Sequence, residues 1–327
     1  MIISRTPFRI SFAGGGSDLE SFWSREPGMV LSAAINRYMY LTVKGRFANT
    51  FRVSYSQTEL RDHIDDIEHP IVRECLRSLK VRRGLEIVSI ADIPAQSGLG
   101  SSSSFTVGLL AALHALLGRV VSADQLAREA CEIEIHRLGE PIGKQDQYIA
   151  AYGGIQFIQF MPDGSVFVDP VICPSETKRE LTRRLMLFFT GWTRHARDVL
   201  EKQNSNTEEN MDALRRLCGI ARQMRDVLTT GRDLNVFGHL LHEGWQVKKS
   251  LEKTITNPNI DASYAAAIEA GALGGKLLGA GGGGFFLFFC EPHKQDDLRA
   301  ALPGFLEVPL TLEPQGAKLI YVGEDQY

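Results

Sequence analysis

Pro94-Ala95-Gln96-Ser97-Gly98-Leu99-Gly100-Ser101-Ser102-Ser103-Ser104 leads directly into a stretch whose apolar residues repeat at helical spacing over 102–117. That junction decides how the chain is read. Glycine lets a backbone approach an anion closely, and the first turn of a helix offers unpaired N–H groups and the positive end of its dipole. Serine hydroxyls at the same place can reach phosphate oxygens or a metal ion. One serine would be an ordinary N-cap, but four in succession behind Gly98-Leu99-Gly100 exceed what capping requires. The stretch reads as a phosphate-binding turn at the mouth of a strong helix.

Before this turn the chain is strand-rich. Ile2–Phe12, Tyr38–Arg46 and Phe51–Tyr55 are the longer candidates, and Glu86–Ala91 is a short apolar run ending at Asp92-Ile93-Pro94. After it, Ser122–Leu138 reads as a second helix with Ser122 as its N-cap and Gly139 as its stop. Strands follow at Gly153–Met161 and Val166–Val168. The second half has a different texture. A strand at Leu185–Thr190 precedes a nearly continuous helical pattern from Arg194 to about Leu251. Then come a short helix at Asp261–Ala270, a strand at Phe285–Cys290, a helix from about His293 to Ala301 and a closing strand at Lys318–Val322. A soft boundary near 170–180 divides 1–175 from 176–327.

Length and composition exclude several classes. A chain of 327 residues suggests two domains or one large one. With 44% hydrophobic and 23% charged residues it is ordinary for a globular protein, which excludes intrinsic disorder. Its 36 Lys and Arg against 39 Asp and Glu leave a formal net charge of −3 without any like-charge run, so no polybasic nucleic-acid or membrane surface is expected. Five scattered cysteines without a CxxC pair argue against a disulfide framework or structural zinc and favour a reducing cytoplasm. The apolar stretch from Val107 to Leu117 falls short of the roughly 20 residues a membrane helix requires. Arg5 and Arg9 interrupt the apolar N-terminus where a signal peptide would keep its h-region. A soluble, cytoplasmic protein is expected.

Two further loops are glycine-rich: Gly14-Gly15-Gly16-Ser17-Asp18 after a strand, and Gly279-Ala280-Gly281-Gly282-Gly283-Gly284 ahead of one. Either alone is as readily a flexible turn. Familiar alternatives fail. Gly143-Lys144 and Gly275-Lys276 are followed by Gln and Leu, so neither is a Walker loop. Gly279, Gly281 and Gly284 satisfy GxGxxG, but a strand follows where a dinucleotide site needs a helix. His242-Glu243 lacks a histidine at position 246, which excludes the zinc helix. The remaining chemistry is acidic. Asp146, in a polar turn opening a short helix, would singly be a cap, and Glu132 and Glu134 would singly be solvated. Beside a phosphate loop they supply a carboxylate for a hydroxyl proton and one for magnesium.

Pro94–Ser104 resembles the PxxxGLGSSxx phosphate loop of the GHMP kinases, the galactokinase, homoserine, mevalonate and phosphomevalonate kinase superfamily. The loops at 14–18 and 279–284 resemble that family's first and third motifs in order and spacing. Within the family, TPFRISFAGGGSD (6–18), GKQDQYIAAYGG (143–154) and GKLLGAGGGGFF (275–286) look most like the bacterial D-glycero-D-manno-heptose 7-phosphate 1-kinases. The resemblance covers essentially the whole chain. It implies an α+β fold with a ribosomal-protein-S5-like N-terminal domain and a ferredoxin-like C-terminal domain, with ATP, Mg2+ and substrate meeting in the cleft between them.

The resemblance also implies roles. Asp146 falls on the catalytic aspartate, and Arg9 on the basic residue beside it and the transferred phosphate. Gly98, Leu99, Gly100, Ser101, Ser102 and Ser103 fall on the ATP phosphate loop, with Ser102 also at the magnesium contact. Glu134 best matches the magnesium glutamate, and Glu132 stays open because one extra residue separates Pro141 from Asp146. Asp18, with Gly15, Gly16 and Ser17, falls where sugar kinases hold ring hydroxyls, and Gly281 and Gly282 fall on the substrate side of the third motif.

One departure matters. Galactokinases carry a Glu-His pair where this chain has Gly15-Gly16, and losing that carboxylate suits a sugar already phosphorylated at its far end. Arg194 and His195, at a helix start that also carries Arg197, are the expected phosphate ligands, and Lys248 is a weaker candidate, since a lysine on a long amphipathic helix is usually just solvated. The expected partners are a small sugar phosphate and ATP, with no nucleic acid or membrane, in a monomer or homodimer. Another sugar 1-kinase, of the L-fucose or galactose type, is the alternative. A non-catalytic sugar and ATP sensor is disfavoured by the retention of Asp146, Arg9, Ser102 and Glu134.

Overall fold

The computed structural model describes residues 1–192, 196–231 and 233–323, apart from the side chains of 196–198, 203 and 205. In chain order the first half contains β1 (Ile2–Ala13), α1 (Glu20–Trp23), β2 (Gly28–Gly45), β3 (Phe51–Ser54), β4 (Thr58–Arg61), α2 (Pro70–Ser78) and β5 (Leu85–Ala91). It continues with α3 (Ser101–Leu116), α4 (Ala123–Cys131), α5 (Gln145–Tyr152), β6 (Ile155–Phe160) and β7 (Val166–Pro170). The second half contains α6 (Ser175–Arg184), β8 (Leu185–Phe189), α7 (Ala196–Ser205), α8 (Met211–Thr230), α9 (Asn235–Leu251) and α10 (Pro258–Glu269). It ends with β9 (Ala272–Leu277), β10 (Phe285–Cys290), α11 (Gln295–Ala301), β11 (Leu306–Glu307) and β12 (Lys318–Val322). This is the α+β arrangement that the resemblance implies.

Two sheets organise these elements. The first runs β12-β1-β2-β5-β3-β4, with β6 on β2 and β7 on β6. β2 is long enough to serve two neighbours, pairing through Gly28–Ala33 with β6 and through Met39–Gly45 with β5. Its start at Gly28, well before Tyr38, was not expected, because Ser32, Ala33 and Ala34 have little strand propensity. All three are fully buried, and packing overrides propensity there. The second sheet is antiparallel, β11-β8-β10-β9, and every residue of β10 is buried.

Two expectations need correction. The division at 175/176 does not hold at the far end of the chain, because β12 pairs antiparallel with β1, Ile2 opposite Val322. The last strand therefore completes the first sheet and shields the β1 edge. The expected single helix over 122–138 is two pieces. α4 starts on the Ser122 cap, whose side chain accepts from the Gln125 amide, and gives way to a π-helical stretch at Glu132–Arg137. Gly139, at φ +65°, follows as the stop.

The phosphate-loop helix α3 lies against β1 and β2 and is buried from Ser103 to His114. It comes close because residue 108 is glycine, where a Cβ would stand 2.7 Å from Thr6 Oγ1. α9 settles equally close on β9, since a Cβ on Gly274 would lie 2.0 Å from the Gly238 carbonyl oxygen. These two approaches bring the α3 start and the inner face of α9 to one cleft. No helix among the described residues is long and apolar enough to cross a membrane.

Candidate active site

The cleft has a volume of about 390 Å3. One wall is built from the end of β1, the first glycine loop and the starts of α3 and α5; the other from α9, β9 and the third glycine loop. The second and third loops interlock glycine to glycine. Gly98 and Gly279 have φ of +81° and +73°, and a Cβ on Gly279 would sit 2.5 Å from Gly98 Cα. The third loop therefore shapes the second.

Gly100, in the left-handed region, occupies the N-cap position of α3 and leaves it without a side-chain cap. The serine run is thus free of the capping duty that one serine would ordinarily perform. Ser101, Ser102 and Ser103 line the cleft, while Ser104 turns inward and donates to the Pro7 carbonyl at 2.8 Å. The first amides of α3 and its dipole face the cleft beside these hydroxyls.

Arg9 and Asp146 meet here although they lie far apart in sequence. Arg9 Nε and Nη2 donate to Asp146 Oδ1 and Oδ2 at 2.6 and 2.7 Å, a bidentate pair, and Nη1 donates to the Gly98 carbonyl at 2.6 Å. Arg9 is 5% exposed, whereas the Asp146 side chain retains 22% exposure toward the cleft. Glu134 is fully buried, accepting from the Ser102 hydroxyl and from Gln147 Nε2 at 2.7 Å. Burial pushes its carboxyl up to about 7 against the pull of hydrogen bonds from Ser102, Gln147 and Ser103, and the Asp146 charge adds to the rise. Asp18 accepts from the amides of Gly16 at 2.9 Å and Gln145 at 3.3 Å, and burial raises its carboxyl despite both.

The π-helical stretch places the two glutamates differently. Its wider turn leaves Glu134 facing Ser102 and the cleft, while Glu132 is exposed and paired with Arg137 at 3.4 Å. Three candidates do not reach the cleft. Leu99 is core, contributing only its carbonyl to the Arg9 amide at 3.1 Å. Ser17 is buried in the turn, where its hydroxyl donates to the Gly14 carbonyl at 2.8 Å and accepts from the Met29 amide at 3.0 Å. Gly282 faces away and donates to the Ile255 carbonyl at 2.9 Å, although Gly281 lines the cleft. Gly15 and Gly16 line it too. Arg194 and His195 lie outside the described residues.

Sequence reasoning ranked Lys248 as only a weaker phosphate candidate and missed Lys276. Lys248 is 8% exposed, not solvated, and Lys276 is 5% exposed; both line the cleft. Burial pulls the Lys248 ammonium down to about 8, with the Arg9 charge adding, and holds Lys276 well below the usual lysine range, helped by Lys248 and Arg9. A signal was present: Lys248 falls on the same helical stripe as Leu241, Gly244, Trp245 and Leu251, all buried. Ser11 and Gln145 also line the cleft without having been singled out.

Magnesium fits this chemistry. Glu134 and Ser102 offer hard oxygen donors side by side, and a buried carboxylate without a cationic partner among the described residues is what a divalent ion would stabilise. Among the described residues no cluster of three or more His, Cys, Asp or Glu could hold a metal alone.

Residues 69–154 match the GHMP kinases N terminal domain, and residues 194–308 match GHMP kinases C terminal. The chain is 32% identical over 315 residues to a D-glycero-alpha-D-manno-heptose 7-phosphate kinase of Campylobacter jejuni, covering 92% of this chain and 93% of that protein. It is 28% identical to a bifunctional fucokinase/GDP-fucose pyrophosphorylase of Arabidopsis thaliana over 90% of this chain but 30% of that one. A crystal structure of a D-glycero-D-manno-heptose 1-phosphate kinase from Bacteroides thetaiotaomicron superposes with a TM-score of 0.83 at 26% identity, over 99% of this chain and 100% of the other. With both domains matched and a relative of this identity along nearly its whole length, the chain belongs to the GHMP kinases.

Proposed function

We propose that this chain is an ATP-dependent kinase for the anomeric hydroxyl of D-glycero-D-manno-heptose 7-phosphate. The observation that carries this reading is the bidentate Arg9–Asp146 pair at the mouth of α3, directly beside the Ser102–Glu134 contact. Asp146 orients the acceptor hydroxyl and takes its proton, while Arg9 fixes the carboxylate in plane and offsets charge on the transferred phosphoryl group. The open amides of α3 cradle the nucleotide phosphates, and Pro70, Ile71, Leu138 and Ile142 give an apolar lining suited to its base. Glu134 and Ser102 would hold magnesium, which supplies charge neutralisation at the phosphates. Most of the rate enhancement comes from position and electrostatics.

The choice of acceptor rests on the Campylobacter relative and on Gly15. Gly15 is not in the left-handed region, and a Cβ there would make only an ordinary contact, 3.4 Å from Gln145 Nε2. Glycine at this place therefore leaves space rather than relieving strain. An ATP-consumption assay across hexoses, heptoses and their terminal phosphates tests the reading. Preference for a heptose with a terminal phosphate is expected. Preference for bare L-fucose or galactose would transfer the assignment to the fucokinase type, which the Arabidopsis relative favours.

A further inference from the structure

Lys248 and Lys276 have no role in the chemistry of Arg9, Asp146, Ser102 and Glu134, yet both are buried ammonium groups facing the same cleft. Their partners are carbonyls. Lys248 Nζ donates to Gly279 O at 2.5 Å and more loosely to Leu277 O at 3.5 Å, and Lys276 Nζ donates to Phe12 O at 3.2 Å. Neither forms a salt bridge among the described residues, and the nearby carboxylates are engaged elsewhere, Asp146 by Arg9 and Asp18 by two backbone amides. Each ammonium has three donors, so both retain at least one. The two lysines are within electrostatic reach of each other and of Arg9, and although Asp18, and for Lys248 also Asp146, partly offsets this, both ammonium groups are disfavoured as they stand and gain from an added anion. Ser11 adds a third donor: its hydroxyl is buried, has no partner and borders the cleft. Ser11 and Lys276 lie toward the first glycine loop, Ser11 Oγ 3.9 Å from where a Gly15 Cβ would stand and Lys276 on the carbonyl of Phe12, two residues before Gly14, while Lys248 reaches in from the side of the third loop.

We propose that Lys248 and Lys276 form a second phosphate subsite, distinct from the start of α3, that holds the acceptor's own phosphate. This rests on the sugar-phosphate reading above. The competing explanation is structural: the two lysines merely stitch α9 and β9 to the third loop and to β1.

Lys248→Met, Lys276→Met and the corresponding arginine variants separate these. The measurements are KM for the phosphorylated acceptor, for the same sugar without phosphate and for ATP, with inorganic phosphate as an independent probe and thermal melts as a folding control. Wild type should be inhibited by inorganic phosphate competitively with the acceptor. Each methionine variant should raise KM for the phosphorylated acceptor about tenfold or more while leaving ATP and the bare sugar within about twofold. Phosphate inhibition should weaken in parallel, and arginine should restore much of both. An unchanged acceptor KM overturns the subsite. So does an ATP KM that rises equally, because the lysines would then serve the transferred phosphoryl group. A lowered melting temperature with equal losses for both acceptors supports the structural explanation instead. If wild type shows no preference for a phosphorylated acceptor, the functional reading fails, and phosphate binding lost in the lysine variants still judges the subsite separately.

Discussion

The two walls of the cleft treat buried charge in opposite ways. On the α3–α5 wall Arg9 is paired with Asp146, and the carboxylates of Glu134 and Asp18 are held by donors, Ser102 and Gln147 for the first and the amides of Gly16 and Gln145 for the second. On the α9–β9 wall, Lys248 and Lys276 bond only carbonyls among the described residues. The difference separates two tasks. A wall whose charges already hold one another in place is preorganised for chemistry before anything binds. A wall whose cations have no directly bonded carboxylate is completed by an anionic ligand, and so selects for one.

Breaking the paired wall should have the largest effect. Asp146→Asn should lower kcat by two to four orders of magnitude, roughly 3–5 kcal/mol, because it removes the base and strips Arg9 of a charged partner. Nucleotide binding, measured by titration, should survive. A variant with near-normal kcat would put proton transfer elsewhere and erase the contrast between the walls.

Glu134 sharpens the comparison, since it is a fully buried acid of that wall held by hydrogen bonds beside the α3 serines. Its carboxyl is raised from 4.5 to about 7, chiefly by burial, so across that interval the folded protein holds a proton that the unfolded chain has released. Stability from this group is therefore present below pH 4.5 and is lost as pH rises toward 7, by at most about 3 kcal/mol. Thermal melts without magnesium should show this slope, Glu134→Gln should flatten it, and added magnesium should recover stability above pH 7. Superimposable pH profiles for wild type and variant would remove Glu134 from the metal site.

The smallest effects distinguish two serines. Ser102→Ala should raise KM for magnesium-ATP about tenfold by removing a hydroxyl beside Glu134, with little change in melting temperature. Ser104→Ala should do the reverse, costing about 1 kcal/mol of stability through its lost bond to Pro7 and leaving KM alone. Equal effects at both positions would reduce the run to packing.

The sequence alone determined the local parts. Three glycine loops, the α3 helix behind the serines and the Ser122 cap were legible because spacing, capping chemistry and backbone freedom act over a few residues, Asp146 and Glu134 were open as acids beside a phosphate loop, and Arg9 was named by the family resemblance. Tertiary structure decided which parts face one another. It put β12 beside β1, extended β2 through residues of low strand propensity, and used a π-helical stretch to turn Glu134 rather than Glu132 toward Ser102. It also turned Ser17, Leu99 and Gly282 away from the cleft and drew Lys248 and Lys276 into it. Lysine spacing along a helix does not reveal what packs over it. The burial of these two ammonium groups follows from α9 lying close on β9 at Gly238 and Gly274, a contact between segments that sequence periodicity cannot pair.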